Sequence, residues 1–261
     1  MEITEAGRKY WQYEYDVMAQ YLLPLMREWG VKIEGATVLD VGCGDGGGIS
    51  AMYDAGMHCK GFDITQPYID LAHAMSEGRK MEMFVGSIYA NPIPLEGERF
   101  DVVILHDVFE HLERKTYVLE TLKKYLLPSG QLVITFPPYY SAFGAHQQFL
   151  SARYGKIPFF HLMPFAVSGI IPKLKNEQPH LVEEIQKLAR LKMGIGNFEH
   201  LLRETNYRIE KKKFYTIGPN HIRFGLKPLG AGVVGSIPGL RELLVSGVVY
   251  LLSAGNGGRA K

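Results

Sequence analysis

The chain has 261 residues, with 29 basic and 27 acidic side chains and a formal net charge of +2. That length suits one sizeable domain with an insertion, and the near-neutral balance gives no electrostatic footprint for nucleic acid. Two cysteines, Cys43 and Cys59, make no spaced framework, which points to a reducing cytoplasm, and no Cys/His spacing suggests a metal.

Residues 5–29 read as helical, with Tyr10, Tyr13, Tyr21 and Leu25 among the apolar positions and Pro24 kinking or dividing the segment. Glu2 and Glu5 come early and no apolar stretch follows, so no signal peptide is expected. The aromatic cluster Tyr10, Trp11, Tyr13 and Tyr15 suits packing against a sheet first, and second a flap that closes over a ligand.

Residues 37–48 read TVLDVGCGDGGG. Val38, Leu39 and Val41 make a short apolar run, suited to a strand buried on both faces, which Asp40 interrupts. Gly42 and Gly44 then form a tight turn, as needed where the backbone takes φ > 0 or lies against a ligand. Such a turn between a strand and a helix is a nucleotide cradle. Gly42, Gly44 and Gly47 also satisfy G-x-G-x-x-G, which suits a nicotinamide cofactor. Asp40 argues against a dinucleotide, because an acid just before the first glycine would repel a pyrophosphate. It suits a ligand with a cationic end, such as a sulfonium or an ammonium group.

A second strand at 58–62 ends in Asp63, 23 residues after Asp40 and near the spacing at which an acid meets ribose hydroxyls. Residues 100–112, FDVVILHDVFEHL, are an apolar strand that opens into a polar edge and then a helix. Strands are expected near 37–41, 58–62, 82–85, 100–105 and 130–136, and helices near 46–55, 67–77 and 113–126. The alternation implies a parallel sheet with helices on both faces.

Residues 138–195 break the alternation and are too long and too aromatic for a passive loop. They follow the fifth strand, whose C-terminal end lies on the ligand side of such a sheet. They read as a substrate-covering insertion with two or three helices, one near 180–192. A helix near 196–205 and strands near 207–216 and 221–227 resume the core. Residues 229–261 form an apolar C-terminal tail, with 256–261 frayed. Its run LLVSGVVYLL at 243–252 is about half the ~20 residues of a transmembrane helix. Leu240, Leu243, Leu244, Val248 and Leu251 have helical spacing, which suits a helix docked on the protein first and one lying on a membrane surface second.

Three pieces, VLDVGCG at 38–44, GFD at 61–63 and FDVVILHDVFEHL at 100–112, resemble by their order and spacing the class I S-adenosylmethionine-dependent methyltransferases. Their core motifs are similar to those of quinone-biosynthesis methyltransferases. The resemblance covers about residues 30–137 well and the rest loosely. It implies an α/β fold: a Rossmann-like doubly wound sheet, mostly parallel with a terminal antiparallel strand, in one domain over 1–261, with a helical insertion after the fifth strand. It implies S-adenosylmethionine as cofactor. Asp40, Gly42, Cys43 and Gly44 would lie at its methionine portion, Asp63 at the ribose and Ile64 on the adenine. The backbone at His106 would lie near the methionine amine, and His111 would support the cofactor end of the pocket. Many relatives carry Asp after a Gly at the end of the third strand; here Val85-Gly86-Ser87-Ile88 puts Ser87 there, with backbone groups at Ser87 and Ile88 as alternatives.

Methyl transfer from a sulfonium needs mostly position, and a base only when the nucleophile holds a proton. His146 is the first choice for that base, since it lies in the insertion beside Gln147 and Gln148, with His161 and His106 next. The leading expectation is methyl transfer to a small or amphipathic acceptor, oxygen before carbon. The alternatives are a nicotinamide-dependent oxidoreductase and a non-catalytic S-adenosylmethionine-binding protein. A cytoplasmic setting is expected, with membrane-peripheral contact through the tail as a variant.

Overall fold

The computed structural model describes residues 3–76, 78–174 and 176–255; the expected fraying of 256–261 lies outside them. The chain opens with α1 (Glu5–Val17), one wide turn at Met18–Leu22 and α2 (Leu23–Glu28). Pro24 lacks the amide hydrogen a regular helix would use, and the wide turn before it absorbs the defect without breaking the rod. An alternating core follows: β1 (Thr37–Val41), α3 (Gly47–Asp54), β2 (His58–Asp63), α4 (Gln66–Met75), β3 (Glu82–Val85), β4 (Phe100–His106), α5 (Lys115–Lys124) and β5 (Leu126–Phe136). Then come α6 (Pro179–Leu191), α7 (Ile195–Glu204), β6 (Tyr207–Ile217), β7 (Leu229–Gly230), α8 (Leu240–Leu244) and β8 (Gly247–Ala254).

The eight strands form one sheet in the order β3-β2-β1-β4-β5-β8-β6-β7. The first five are parallel, and β8 runs antiparallel to both β5 and β6. Strand order reverses at β1, with β2 on one side and β4 on the other. A crevice at the strands' carboxyl ends is therefore the ligand position of this topology.

Both faces of the sheet are buried. Leu39, Val41, Val103, Leu105, Leu132 and Ile134 pack into one layer, and Val38, Val102, Ile104 and Val133 into the other. The alternation explains why β1 and β4 read as unbroken apolar runs.

Three expectations need correction. The helical spacing read through Val248 and Leu251 belongs to a strand. Val248 faces one core layer and Leu251 the other, so the run is apolar because β8 is buried on both faces. Only Leu240–Leu244 is helical there, and Leu240, Leu243 and Leu244 are exposed. The strand expected at 221–227 is absent among the described residues. Pro219–Phe224 instead makes tight helical turns, ended by Gly225 at φ +73°, and Asn220, His221 and Arg223 line the ligand crevice. Among the described residues of 138–194 there is one α-helix, α6, and the others make a string of single turns around a small separate core of Tyr139, Ala145, Leu150, Phe160, Ile171, Ile185 and Leu188. Among the described residues no helix is long and apolar enough to cross a membrane.

Candidate active site

A cavity of about 1510 Å³ lies over the carboxyl ends of β1, β2 and β4. Residues from α1, the glycine turn and the 138–195 segment wall it in.

Its floor is the turn after β1. Gly42 (φ +85°), Gly44 (φ +53°) and Gly46 (φ +87°) are left-handed, a conformation costly for any side chain-bearing residue. The Gly42 and Cys43 amides donate to the Phe62 carbonyl (2.8 and 3.2 Å), which ties the turn to β2. Asp63 completes the tie: its carboxylate accepts from the Gly44 amide (3.2 Å) and the Thr65 amide (2.8 Å). A Cβ built on Gly44 meets nothing within 4 Å, so it would project into open cavity space. Gly47 has a different task. A Cβ there would lie 2.3 Å from the Trp11 carbonyl oxygen, so this glycine lets α1 cross α3.

Asp40 lies beneath the turn, 4 % exposed, and its Oδ1 has no hydrogen-bond donor. Burial raises its pKa to about 7, with Asp63 and Glu14 adding to the rise and His106 opposing it. An acid so placed would favour a cationic group above it. Asp45, also buried, receives the Gly47 amide at 3.3 Å and is pushed by burial to about 7.

His106 ends β4 inside a closed polar ring. Its Nδ1 lies 2.7 Å from the Thr135 hydroxyl, which donates to Asp107 (2.7 Å), and its Nε2 faces Glu14 at 3.5 Å. Asn220 donates to the other Asp107 oxygen, and the Tyr13 hydroxyl donates to the Asn220 carbonyl (3.1 Å). Burial opposes charge on His106, yet Asp107, Glu14 and Asp40 outweigh it and raise the pKa to about 9. These contacts favour the protonated form of His106, which does not suit the role of base expected of it.

The other expected residues divide. Asp40, Gly42, Cys43, Gly44, Asp63, Ile64, Ser87, Ile88, His106, His111 and His146 all line the cavity. Ile64 stands exposed into it, and the Ser87 hydroxyl accepts from the Tyr89 amide (3.2 Å). The Cys43 side chain packs against Gly61 of β2, and burial drives its thiol far above the ordinary range. His161 is elsewhere. It is buried within the insertion, donates Nε2–H to the Tyr139 carbonyl (2.7 Å) and packs edge-on against the Tyr139 ring, so it holds the insertion together.

The N-terminal aromatics split by helical period. Tyr10, Tyr13 and Glu14 share the cavity face of α1, whereas Trp11 and Tyr15 stack on each other (5.4 Å) away from it. Glu14, Asn220 and Arg223 line the cavity without any sequence motif to mark them.

At the insertion side, His146 Nδ1 lies 2.8 Å from Glu184 of α6, and its ring is 5.2 Å from that of His111. Burial and the facing His146 lower the His111 pKa to about 4, and burial drives the Glu110 carboxyl far up.

The floor fits S-adenosylmethionine on its own chemistry. Asp40 offers a buried acceptor to a cationic end, Gly44 leaves the space above it clear, and Asp63 still has lone pairs for ribose hydroxyls. A pyrophosphate would meet Asp40, Asp45 and Asp63 at once.

Comparison with known proteins agrees. The family described as "Methyltransferase domain" matches residues 39–134. The chain is 33 % identical over 106 residues to a protein named ubiquinone biosynthesis O-methyltransferase from Haemophilus ducreyi, covering 39 % of this chain and 45 % of that one. The protein of the same name from Actinobacillus pleuropneumoniae serotype 7 is 32 % identical over 103 residues, covering 38 % and 44 %. The chain thus spans somewhat under half the length of these curated relatives. Among solved structures, an S-adenosylmethionine-dependent methyltransferase from Mesorhizobium loti superposes with a TM-score of 0.55 at 15 % identity, covering 91 % of this chain and 99 % of that one. One from Aquifex aeolicus gives 0.54 at 16 % identity, covering 96 % and 99 %. At such identities these two show a shared fold. The matched segment carries β1, the glycine turn, Asp63 and β4 through β5, and over it the chain is similar to the methyltransferase-domain family.

Proposed function

We propose that the chain transfers a methyl group from S-adenosylmethionine to an oxygen of a small amphipathic acceptor held beneath residues 138–195. The observation that carries this reading is Asp40: a buried carboxylate with an unmet oxygen, under a glycine turn that opens into the cavity. When bound, the cofactor supplies a methyl already activated on a good leaving group. The glycine turn and Asp63 would take its sugar and amino-acid ends, and His106, set between Thr135 and Glu14, orders the polar side of the cavity. Tyr10, Tyr13 and Phe149 line the walls with ring surface, which suits a partly apolar acceptor and excludes water from the transfer. The curated relatives named as O-methyltransferases support oxygen over carbon.

Calorimetry should give binding of S-adenosylhomocysteine and none of NAD. Binding of NAD instead would revive the oxidoreductase reading. With labelled cofactor and a cell extract, mass spectrometry of the labelled product identifies the acceptor, and a product labelled on carbon would overturn the O-methylation reading.

His146, paired with Glu184, is a basic side chain on the insertion side of the cavity. His146→Ala is expected to keep S-adenosylhomocysteine affinity and lose turnover by about 10²–10⁴-fold. Normal turnover on the true acceptor would make His146 a wall residue only.

An amphipathic acceptor also suits contact with a lipid surface through the C-terminal segment. Leu229 and Val233 are 58 % and 77 % exposed, and Leu240, Leu243 and Leu244 add apolar surface. Because β8 is a core strand, truncating the tail would unfold the sheet, so the test uses substitutions. Wild type should float with vesicles of mixed zwitterionic and anionic lipid, and Leu229→Glu/Val233→Glu should not. Wild type left in the soluble fraction would end the idea.

A further inference from the structure

Glu110 poses a problem that the methyl-transfer reading leaves unsolved. It is 1 % exposed, and neither carboxylate oxygen has a hydrogen-bond donor. The nearby cation does not meet it: Lys115 Nζ is directed to the backbone carbonyls of Phe109, Glu110 and Leu112 (2.7, 3.2 and 2.6 Å). An unpaired buried carboxylate costs several kcal/mol unless something compensates it.

Two imidazoles stand beside it. His111 Nε2 is 3.6 Å from Glu110 Oε1, and the ligand atoms of Glu110, His111 and His146 lie within 4.8 Å of one another. A single ion bonded at ~2.0–2.2 Å to each donor spans nearly that distance. Glu184 engages His146 through Nδ1 at 2.8 Å, which leaves Nε2 as the nitrogen free for an ion. A carboxylate behind a histidine in this way fixes the ring and raises its basicity as a ligand. The backbone of His146 is itself left-handed (φ +61°), an uncommon conformation for a residue with a side chain.

We propose that Glu110, His111 and His146 form a binding site for a divalent first-row transition ion, with Glu184 orienting His146. Two nitrogens and a carboxylate suit Zn²⁺, Mn²⁺ or Fe²⁺, whereas Mg²⁺ and Ca²⁺ prefer oxygen donors alone. His111 and His146 line the cavity, so the site opens toward the acceptor. The ion's binding stands by itself, while its task rests on the methyl-transfer reading. There it would hold the acceptor hydroxyl and lower its pKa. The hydroxyl proton passes to water, the oxygen lone pair forms the new C–O bond, and the S–C electron pair stays with sulfur. His146 then acts as a ligand, and no separate base is required.

The sequence hides this site because His146 lies 35 positions after His111, and no short metal-binding pattern spans that gap.

The test uses tag-free, full-length protein, stripped with a chelator and titrated by calorimetry with Zn²⁺, Mn²⁺ and Mg²⁺. One equivalent of Zn²⁺ or Mn²⁺ should bind per chain, more tightly than Mg²⁺. Glu184→Gln should weaken it by about 10–100-fold, and Glu110→Gln and His146→Asn by more. Titration of the same preparations with S-adenosylhomocysteine checks that each variant is folded and keeps the two readings apart. Wild type that binds S-adenosylhomocysteine but neither ion removes the metal site and leaves methyl transfer standing. Folded variants that bind the ion as wild type does would equally overturn it. Protein that binds the ion but no S-adenosylhomocysteine would keep the site and sink its proposed role.

Discussion

Asp40→Asn should weaken S-adenosylmethionine binding by about 10–100-fold, the value of one or two lost charge-assisted contacts, while making the ligand-free protein more stable. Both effects follow from one buried carboxylate. With a pKa of about 7, raised chiefly by burial, it binds a proton in the folded chain at pH values where the unfolded chain has released it. The folded state thus holds more protons between about pH 4 and pH 7, and stability falls as pH rises through that window. By pH 8 the loss is complete, on the order of 2–4 kcal/mol for a shift of this size. Asparagine removes that cost. A cationic ligand acts in the opposite sense, because it favours the ionised acid. Affinity of the wild type for S-adenosylmethionine should therefore rise from pH 6 to pH 8, and the Asn variant should lose the step near pH 7. Asp45 and His106 keep part of the stability slope in the variant. The raised Asp45 acid acts like Asp40, and His106, raised to about 9, loses its contribution as pH climbs toward that value. Thermal melts across pH and calorimetry with the cofactor give the two readouts. A variant that binds as wild type does would remove Asp40 from the site.

Gly44→Val should abolish detectable cofactor binding. Its φ of +53° strains any β-branched residue, at a cost of about 1–2 kcal/mol to the fold. The larger effect is steric. The added methyl groups would enter cavity space that the structure leaves clear, directly over the turn. Asp63→Ala should do less, about 1.5–3 kcal/mol in affinity, since it removes ribose contacts and loosens the Gly44 and Thr65 amides without filling the site. A folded Gly44→Val protein that binds S-adenosylhomocysteine normally would show that the ligand does not lie against this turn.

The parts of the site written locally were legible in the sequence. A strand, a tight glycine turn and a helix need only a dozen contiguous residues, so residues 37–48 and Asp63 declare themselves. The groups that complete the site come from separate places. Glu14 enters from α1, and Asn220 and Arg223 from the turns after β6, and nothing in their neighbours marks them. β8 was misread for a physical reason: a strand buried on both faces is apolar throughout and carries no period of two, so a helical spacing can be found in it. His161 shows the reverse error. In the sequence it reads as a second candidate base, but its surroundings are the insertion's own core.

The position of β8 also bears on how the molecule is made. The strand sits between β5 and β6, so β6 reaches the sheet only across it. The five parallel strands, complete at Phe136, can assemble in turn as the ribosome delivers them. The strand β6 must then wait, with the edge of β5 unpaired, until residues 247–254 emerge and close the gap. During that interval the open edge is a template for another nascent chain.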